Sequence, residues 1–294
     1  MTNVLDFIKA NNFYKKFEVD DLLFVEFKCP YEEGKSGIWW HNNLFAFIIA
    51  GETLLKTPKS EFRLKSGDCF FAKKGCVLTM SETEDDFCEL LVFLPDGFIK
   101  TVIQKYKVPL SEVVCDDKPD TVIPLESDDM LQVYFHSLLS YFSMPVPPKT
   151  ALLKLKFEEL IVQIVTGNLH NPLKSYFREV CMHSKPSIKE TMEANFFSNL
   201  SLDEFARLCS RSLSAFKKEF MDIYQTTPGK WLMEKRLEYS RYLIETTGMN
   251  IDEVCIESGF ENRSHFIKVF KNKFGSTPGK FLMQGNSGQS KTHA

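Results

Sequence analysis

The sequence predicts an α+β protein: a strand-rich N-terminal part closed as a β-barrel or jelly roll, then an all-helical C-terminal part. Three observations carry that expectation. The first 125 residues break into short apolar runs separated by glycines and charged turns, as in FRLKSGDCFFAKKG. Beyond Pro124 the apolar residues recur at helical spacing. One phrase is also written twice, FKKEFMDIYQTTPGKWL over 216–232 and FIKVFKNKFGSTPGKFL over 266–282. Self-similarity near this period points to a repeated supersecondary unit.

The strand signals come in order. Leu22 to Phe27 is apolar throughout, and Phe45 to Ile49 runs into a turn at Gly51. Thr53 to Leu55, then Phe62 and Leu64, lead to the turn Lys65 to Asp68. Cys69 to Ala72, Val77 to Met80 and Phe87 to Leu94 complete the series. Many short strands at this spacing suit a closed or two-sheet architecture.

Helices follow. Met130 to Phe142 has apolar residues at 131, 134, 135, 138, 139 and 142, one stripe of a 3.6-residue period. Pro145, Pro147 and Pro148 break it. Ala151 to Val165 is apolar over more surface than one neighbour hides, through Leu152, Leu153, Leu155, Phe157, Leu160, Ile161, Ile164 and Val165. A second apolar face left in water marks an interface, so these are expected to be dimerisation helices and the protein a homodimer; the alternative is that both faces pack inside one chain. With Pro172 and Pro186 taken as boundaries, the expected organisation is a regulatory and dimerisation domain over 1–170, a linker over 171–186 and a helical domain over 187–294.

Within that last part, Ser201 is placed to cap a helix that opens Leu202, Asp203, Glu204, because its hydroxyl accepts from a free backbone N–H. A polar break at Ser210 to Ser212 leads into a helix over 213–224. In the second copy Asn250 caps, Gly259 turns, and Arg263 to Phe274 forms the second helix. Phe216, Phe220 and Tyr224 match Phe266, Phe270 and Phe274 at an offset of 50, and their four-residue spacing puts each set on one buried face. The opposite face carries Ser214, Lys217 and Lys218 in one copy, and Arg263, Ser264, His265 and Lys268 in the other. Such a face just after a tight turn suits a recognition helix entering the DNA major groove. Helical repeats also stack as plain scaffolds, and periodicity alone leaves both readings open. Between the copies, WLMEKRLEYSRYLIETT after Pro228 predicts one helix of about 19 residues, about 28 Å long. That is close to the 34 Å of a DNA turn, so one chain would supply two readers for successive grooves.

Composition narrows the class. Of 294 residues 26% are charged and 44% hydrophobic, with a formal net charge of −3, as in a soluble globular protein. The balance is uneven: residues 185–294 hold 16 Lys and Arg against 13 Asp and Glu, the rest 20 against 26. MTNVLDFIKANN has no basic stretch followed by an apolar run, so no signal peptide is expected. Leu44 to Ala50, the longest apolar run, is too short to span a bilayer. No membrane association and a cytoplasmic location are expected. The eight cysteines, Cys29, Cys69, Cys76, Cys88, Cys115, Cys181, Cys209 and Cys255, form no C-x-x-C pair and read as reduced thiols.

The segment Leu202 to Leu282 resembles the DNA-binding domain of AraC/XylS-type bacterial transcription regulators. The resemblance lies in the doubled helix-turn-helix, the connector with Arg236 and Leu243, and the ending IDEVCIESGFENRSHFIKVFKNKFGSTPGKF. Ile251, Cys255, Gly259, Phe260, Phe266, Phe270, Lys271, Phe274, Gly275, Thr277 and Pro278 stand at the signature positions. The first copy departs from it at Met221, where a lysine is usual, and at Gln225, where a glycine is usual. The N-terminal part resembles the cupin-like barrel of such regulators, and PPKTALLKLKFEELIVQIV resembles the ExsA-like branch, activators of type III secretion.

The resemblance implies a sequence-specific DNA-binding transcription regulator, an activator working with RNA polymerase on promoter DNA. In the ExsA-like branch the N-terminal domain answers to a regulatory protein; in arabinose-type relatives it binds a small-molecule effector. Base-edge contacts are implied for Ser214, Lys217, Lys218, Arg263, Ser264, His265 and Lys268, and phosphate contacts for Lys230, Lys271 and Lys280. For His265 a surface position near a phosphate is an equal alternative.

The rival is a metal-independent cupin-type ligand-binding protein or enzyme on a helical scaffold. A metal cupin needs an H-x-H pair and further ligands, but the barrel region has only His41, and the acidic turn Glu82, Glu84, Asp85, Asp86 has no imidazole nearby. No nucleophile and base pair suggests itself either. We expect no enzyme, no cofactor and no metal. Trp39, Trp40 and His41 either line a ligand pocket or, for the Trp pair, belong to the core.

Overall fold

One sheet of the N-terminal half is buried on both faces, and this explains the apolar runs in the sequence. The computed structural model describes residues 1–28, 34–81, 87–108, 110, 119–126, 128–167, 169, 171–183 and 185–282. Two compact units divide between Pro186 and Ser187. Cys29, Cys115 and the acidic turn at 82–86 lie outside the described residues.

The first unit opens with β1 (Thr2–Asn3) and α1 (Val4–Ala10). Then come β2 (Lys16–Val19), β3 (Leu22–Lys28), β4 (Gly34–Trp40), β5 (Asn43–Ala50), β6 (Glu52–Lys56), β7 (Glu61–Lys65), β8 (Cys69–Ala72), β9 (Gly75–Ser81) and β10 (Cys88–Leu94). After them come α2 (Asp96–Tyr106), β11 (Val122–Leu125), α3 (Asp129–Ser143), α4 (Thr150–Thr166) and α5 (Asn171–Met182). One sheet runs β1-β4-β9-β6-β7 and the other β11-β8-β5-β10-β3-β2. Among the described residues every pairing is antiparallel except β1 with β4.

Alternation sorts the side chains. Leu23 and Val25, Leu44 and Ala46, Phe70 and Ala72, and Leu91 and Phe93 face the other sheet, meeting Trp40, Leu55, Leu64 and Val77. The alternate residues Phe24, Phe45, Phe47, Phe71, Leu90 and Val92 face the helices. A sheet buried on both sides needs apolar residues at every position, hence runs such as DCFFA and NLFAFII. Trp39 and Trp40 are both buried, with Trp40 Nε1 donating to the Lys73 carbonyl at 2.8 Å, so the pair belongs to the core. The jelly-roll expectation agrees with this two-sheet arrangement.

The helical layer packs ring against ring. Phe157 of α4 stacks on Phe24 at 3.7 Å, Phe135 of α3 stacks on Phe47 at 5.1 Å, and Phe177 of α5 meets Phe71 edge-on at 5.7 Å. Leu153, Phe157, Leu160, Ile161, Ile164 and Val165 of α4 all enter this core, while Leu152 and Leu155 are 49% and 53% exposed. The outward apolar surface of α4 is therefore narrower than the sequence suggests.

The linker expected over 171–186 is corrected. Residues 171–182 form α5, whose Leu173 and Phe177 are fully buried. Tyr176 donates to Asn43 Oδ1 at 2.8 Å, and Asn43 donates to Asp96 at 2.7 Å. Pro172 does not mark a break; proline is tolerated in a first helical turn, where backbone N–H groups have no helical partner.

The second unit contains α6 (Ile188–Asn195), α7 (Leu202–Leu208), α8 (Leu213–Tyr224), α9 (Pro228–Thr246), α10 (Ile251–Glu257) and α11 (Arg263–Phe274). The two copies share their capping chemistry. Ser201 and Asn250 each complete a capping box, with Glu204 and Glu253. Thr227 and Thr277 each accept from the lysine three residues on, at 3.4 and 3.5 Å. The turns repeat bond for bond: Ser210 N to Arg207 O and Arg211 N to Ala206 O, against Gly259 N to Ile256 O and Phe260 N to Cys255 O.

If α5 belongs to the core, Phe177→Ala costs the intact chain about 3–5 kcal/mol. Urea unfolding followed by circular dichroism measures it, and a loss below about 1 kcal/mol would restore the linker reading.

Candidate nucleic-acid interface

The two candidate reading helices are built alike. Ser212 caps α8 by accepting from Ala215 N at 3.3 Å, and Asn262 caps α11 by accepting from His265 N at 2.9 Å. Phe216 and Phe220 in α8, and Phe266 and Phe270 in α11, are fully buried. Tyr224 extends the first stripe by stacking on Phe220 at 4.6 Å, and Phe274 the second at 4.6 Å from Phe270. Each buried stripe fixes which face turns outward.

All ten residues singled out from the sequence are exposed. Ser214, Lys217 and Lys218 lie along α8, and Arg263, Ser264, His265, Lys268 and Lys271 along α11. Lys230 and Lys280 occupy matching positions three residues after the capping threonines. In the first turns, Ser214 Oγ is 3.2 Å from Oγ of the capping Ser212, and the His265 ring lies 6.4 Å from that of Phe260 in the preceding turn. Lys271 sits in the last turn of α11, away from that first-turn group.

Three features escape a reading of the sequence. Arg263 is paired with Asp252 of α10, Nε to Oδ1 at 2.5 Å, so one candidate reader is oriented by the preceding helix. Arg211 braces α8 through Glu219 at 2.7 Å and donates to the Cys209 carbonyl at 2.6 Å. Arg236 of α9 donates from Nε to Phe196 O at 2.8 Å and from Nη2 to Ser198 O at 2.6 Å. Burial holds that guanidinium below its usual range, while the charge of Glu261 acts the other way. Burial pushes the neighbouring Tyr239 phenol up to about 12, helped by Glu257. Apart from the local Arg211–Cys209 bond, these are contacts between elements, and no local pattern announces them.

The departures in the first copy keep the same backbone. Gln225 and Gly275 both end their helices in the left-handed region, at φ 53° and 79°. A side chain there is strained by roughly 1 kcal/mol relative to glycine. Gln225 Nε2 donates to Asp222 O at 3.0 Å, a local bond that favours the turn.

Sequence comparison bears on both units. The ExsA N-terminal regulatory domain matches residues 43–176, and a helix-turn-helix domain matches 205–284. Both matches agree with the AraC-type resemblance read from the sequence. AraC-type helix-turn-helix proteins bind double-stranded DNA, and residues 205–284 hold the matching helix-turn-helix domain. The HTH-type transcriptional regulator ExsA of Pseudomonas aeruginosa is 26% identical over 79% of this chain and 83% of its own length. The virulence regulon transcriptional activator VirF of Yersinia enterocolitica is 24% identical over 79% of this chain and 85% of its own. The thermoregulatory protein LcrF of Yersinia pestis has the same identity and coverage. The match to the ExsA domain runs into α5, which agrees with placing that helix in the first unit.

Among the described residues no three His, Cys, Asp or Glu side chains gather as a metal site, and no helix is long and apolar enough to cross a membrane.

Proposed function

We propose that this protein is a sequence-specific DNA-binding transcription activator and not an enzyme. In this reading α8 and α11 enter successive major grooves of promoter DNA in the cytoplasm, where RNA polymerase is engaged. The observation that carries it is the duplicated reader: two helices, each capped by a side chain and held by a buried aromatic stripe, with Ser and Lys outward on α8 and Arg, Ser, His and Lys outward on α11. The activator assignment is supported by VirF, which carries that name. Ser214, Lys217, Lys218, Arg263, Ser264, His265 and Lys268 meet base edges, where Arg and Lys donate to guanine and Ser to several edges. Lys230, Lys271 and Lys280 meet phosphates and set register. The first unit controls the second. Large side chains packed between its sheets support a regulatory protein over a small-molecule effector as its signal.

We further infer a homodimer through α3 and α4. Tyr134 of α3 donates to Lys156 O of α4 at 2.9 Å, joining the two as a hairpin. Met130 and Val133 on α3 are 62% and 68% exposed, and Leu152 and Leu155 stand out from α4. Exposed apolar side chains on one hairpin suit a two-fold contact, and two copies would raise effective affinity for paired sites.

DNA binding by the full chain falls steeply with salt, since its cations displace counterions. On a bound site, Lys268→Ala costs about 1–3 kcal/mol and relaxes preference at one base step, whereas Lys271→Ala weakens all sequences alike. Electrophoretic mobility shifts across a base-substitution series measure both; a uniform loss for Lys268→Ala would remove it from the base readers.

Light scattering at micromolar concentration tests the pairing. Wild type is expected as a dimer, and the double variant Leu152→Glu, Leu155→Glu as a folded monomer. A monomeric wild type, alone and with DNA, contradicts the assignment. Leu153 and Leu160 are unsuitable probes because both lie in the core.

A further inference from the structure

The connector α9 is not a free rod between two independent heads. On one side Arg236 bonds the carbonyls of Phe196 and Ser198, and Lys235 pairs with Glu193 of α6 at 3.0 Å. On the other, Lys273 of α11 reaches Glu238 at 3.1 Å and Glu234 O at 3.3 Å. Arg241 lies over the rings of Phe274 and Phe281 at 5.7 and 5.6 Å.

The two sides meet at residues 196–199. Gly259, the turn of the second copy, has φ +84°, and a Cβ there would stand 2.3 Å from Phe197 O and 3.2 Å from Arg236 Nε. Glu261, two residues on, bonds the Asn199 side chain, and its charge reaches Arg236. The equivalent turn of the first copy is Ser210, also at positive φ but carrying an exposed side chain. Glycine therefore stands where the turn is pressed against a neighbouring backbone, and a side chain is accepted where the residue faces solvent.

We propose that this junction fixes the phase between the two reading helices, with Arg236, Gly259 and Glu261 as positioning residues. The protein then selects DNA by the spacing of two contact blocks as well as by their bases. The inference rests on the DNA-reading assignment above. One added base pair moves a block by about 3.4 Å along the axis and turns it by about 34°. Base-edge hydrogen bonds tolerate only a few tenths of an ångström around 2.7–3.2 Å. A flexible connector would absorb such a shift by rotating at the turns 225–227 and 247–250, whereas the junction at 196–199 opposes that rotation. Lysine cannot replace Arg236 here, because one ammonium does not reproduce the planar fork that reaches two carbonyls.

The full chain is used to enrich sites from a random duplex pool, and the enriched two-block sequence is then shortened or lengthened by one base pair. Wild type is expected to lose about tenfold or more in affinity on either change. In Arg236→Lys and Glu261→Ala the native spacing is bound less tightly, and the ratio between spacings narrows to about threefold or less. A merely destabilising role would lower all spacings alike and keep the ratio. Glu261→Ala removes only a surface side chain, so it carries the test if Arg236→Lys does not fold. A two-block sequence bound equally at all spacings by wild type overturns this proposal alone, as do folded variants that keep the wild-type ratio. A pool that yields no two-block sequence overturns the DNA-reading assignment and this proposal with it.

Discussion

The C-terminal unit turns on one partly buried guanidinium. Taking a charge out of water is costly unless its donors are met, and Arg236 meets two backbone carbonyls at 2.8 and 2.6 Å. Charge-assisted bonds of this kind are stronger than neutral ones. They hold the segment from Phe196 to Ser198 against the connector, and the Gly259 turn closes over the same place. Phe196 also meets Tyr239 edge-on at 5.4 Å. On the reading proposed above, a contact of this kind, rather than the length of α9 alone, would let two similar helices act as one reading surface.

Around that junction each reader is organised by the same division of labour. Buried rings at four-residue spacing hold the helix, a side-chain cap starts it, and a left-handed residue ends it. What is left outward is free to vary, and there the copies differ: Ser214, Lys217 and Lys218 against Arg263, Ser264, His265 and Lys268. Repetition of the scaffold with variation of the outward face is what two different base sequences would require. The first unit follows another logic. Its six-stranded sheet is sandwiched between a second sheet and a layer of helices, so it carries two cores. Tyr176 and Asn43 tie α5, the last helix before the boundary at Pro186, into that sandwich.

Much of this is legible in the amino-acid sequence by itself. The caps at Ser201 and Asn250, the proline after each threonine and the aromatic spacing are local signals, and they place α7 to α11 to within a residue or two. The apolar runs mark β5, β8 and β10. Other elements stay hidden for definite reasons. α5 begins Asn171, Pro172, and proline reads as a break although a first helical turn accepts it. β4 opens Gly34, Lys35, Ser36, Gly37, which has no strand pattern of its own; pairing with β9 along its whole length makes it a strand. The outward face of α4 looks wider in sequence than it is, because a helix between a sheet and neighbouring helices is apolar on most sides and still buried. On the candidate interface, the exposed residues are readable from periodicity, but Arg236 and Glu261 act across elements distant in sequence, and Asp252 across two consecutive helices. Gly259 is readable as a turn, while the carbonyl that forbids a side chain there is not.

The most direct test is hydroxyl-radical footprinting of the full chain on an enriched duplex. Two protected patches per protein copy, on one face of the DNA and about one helical turn of 10–10.5 base pairs apart, are the expected result. A single protected patch per copy would mean that only one of the two helices reads DNA, and would contradict the central claim.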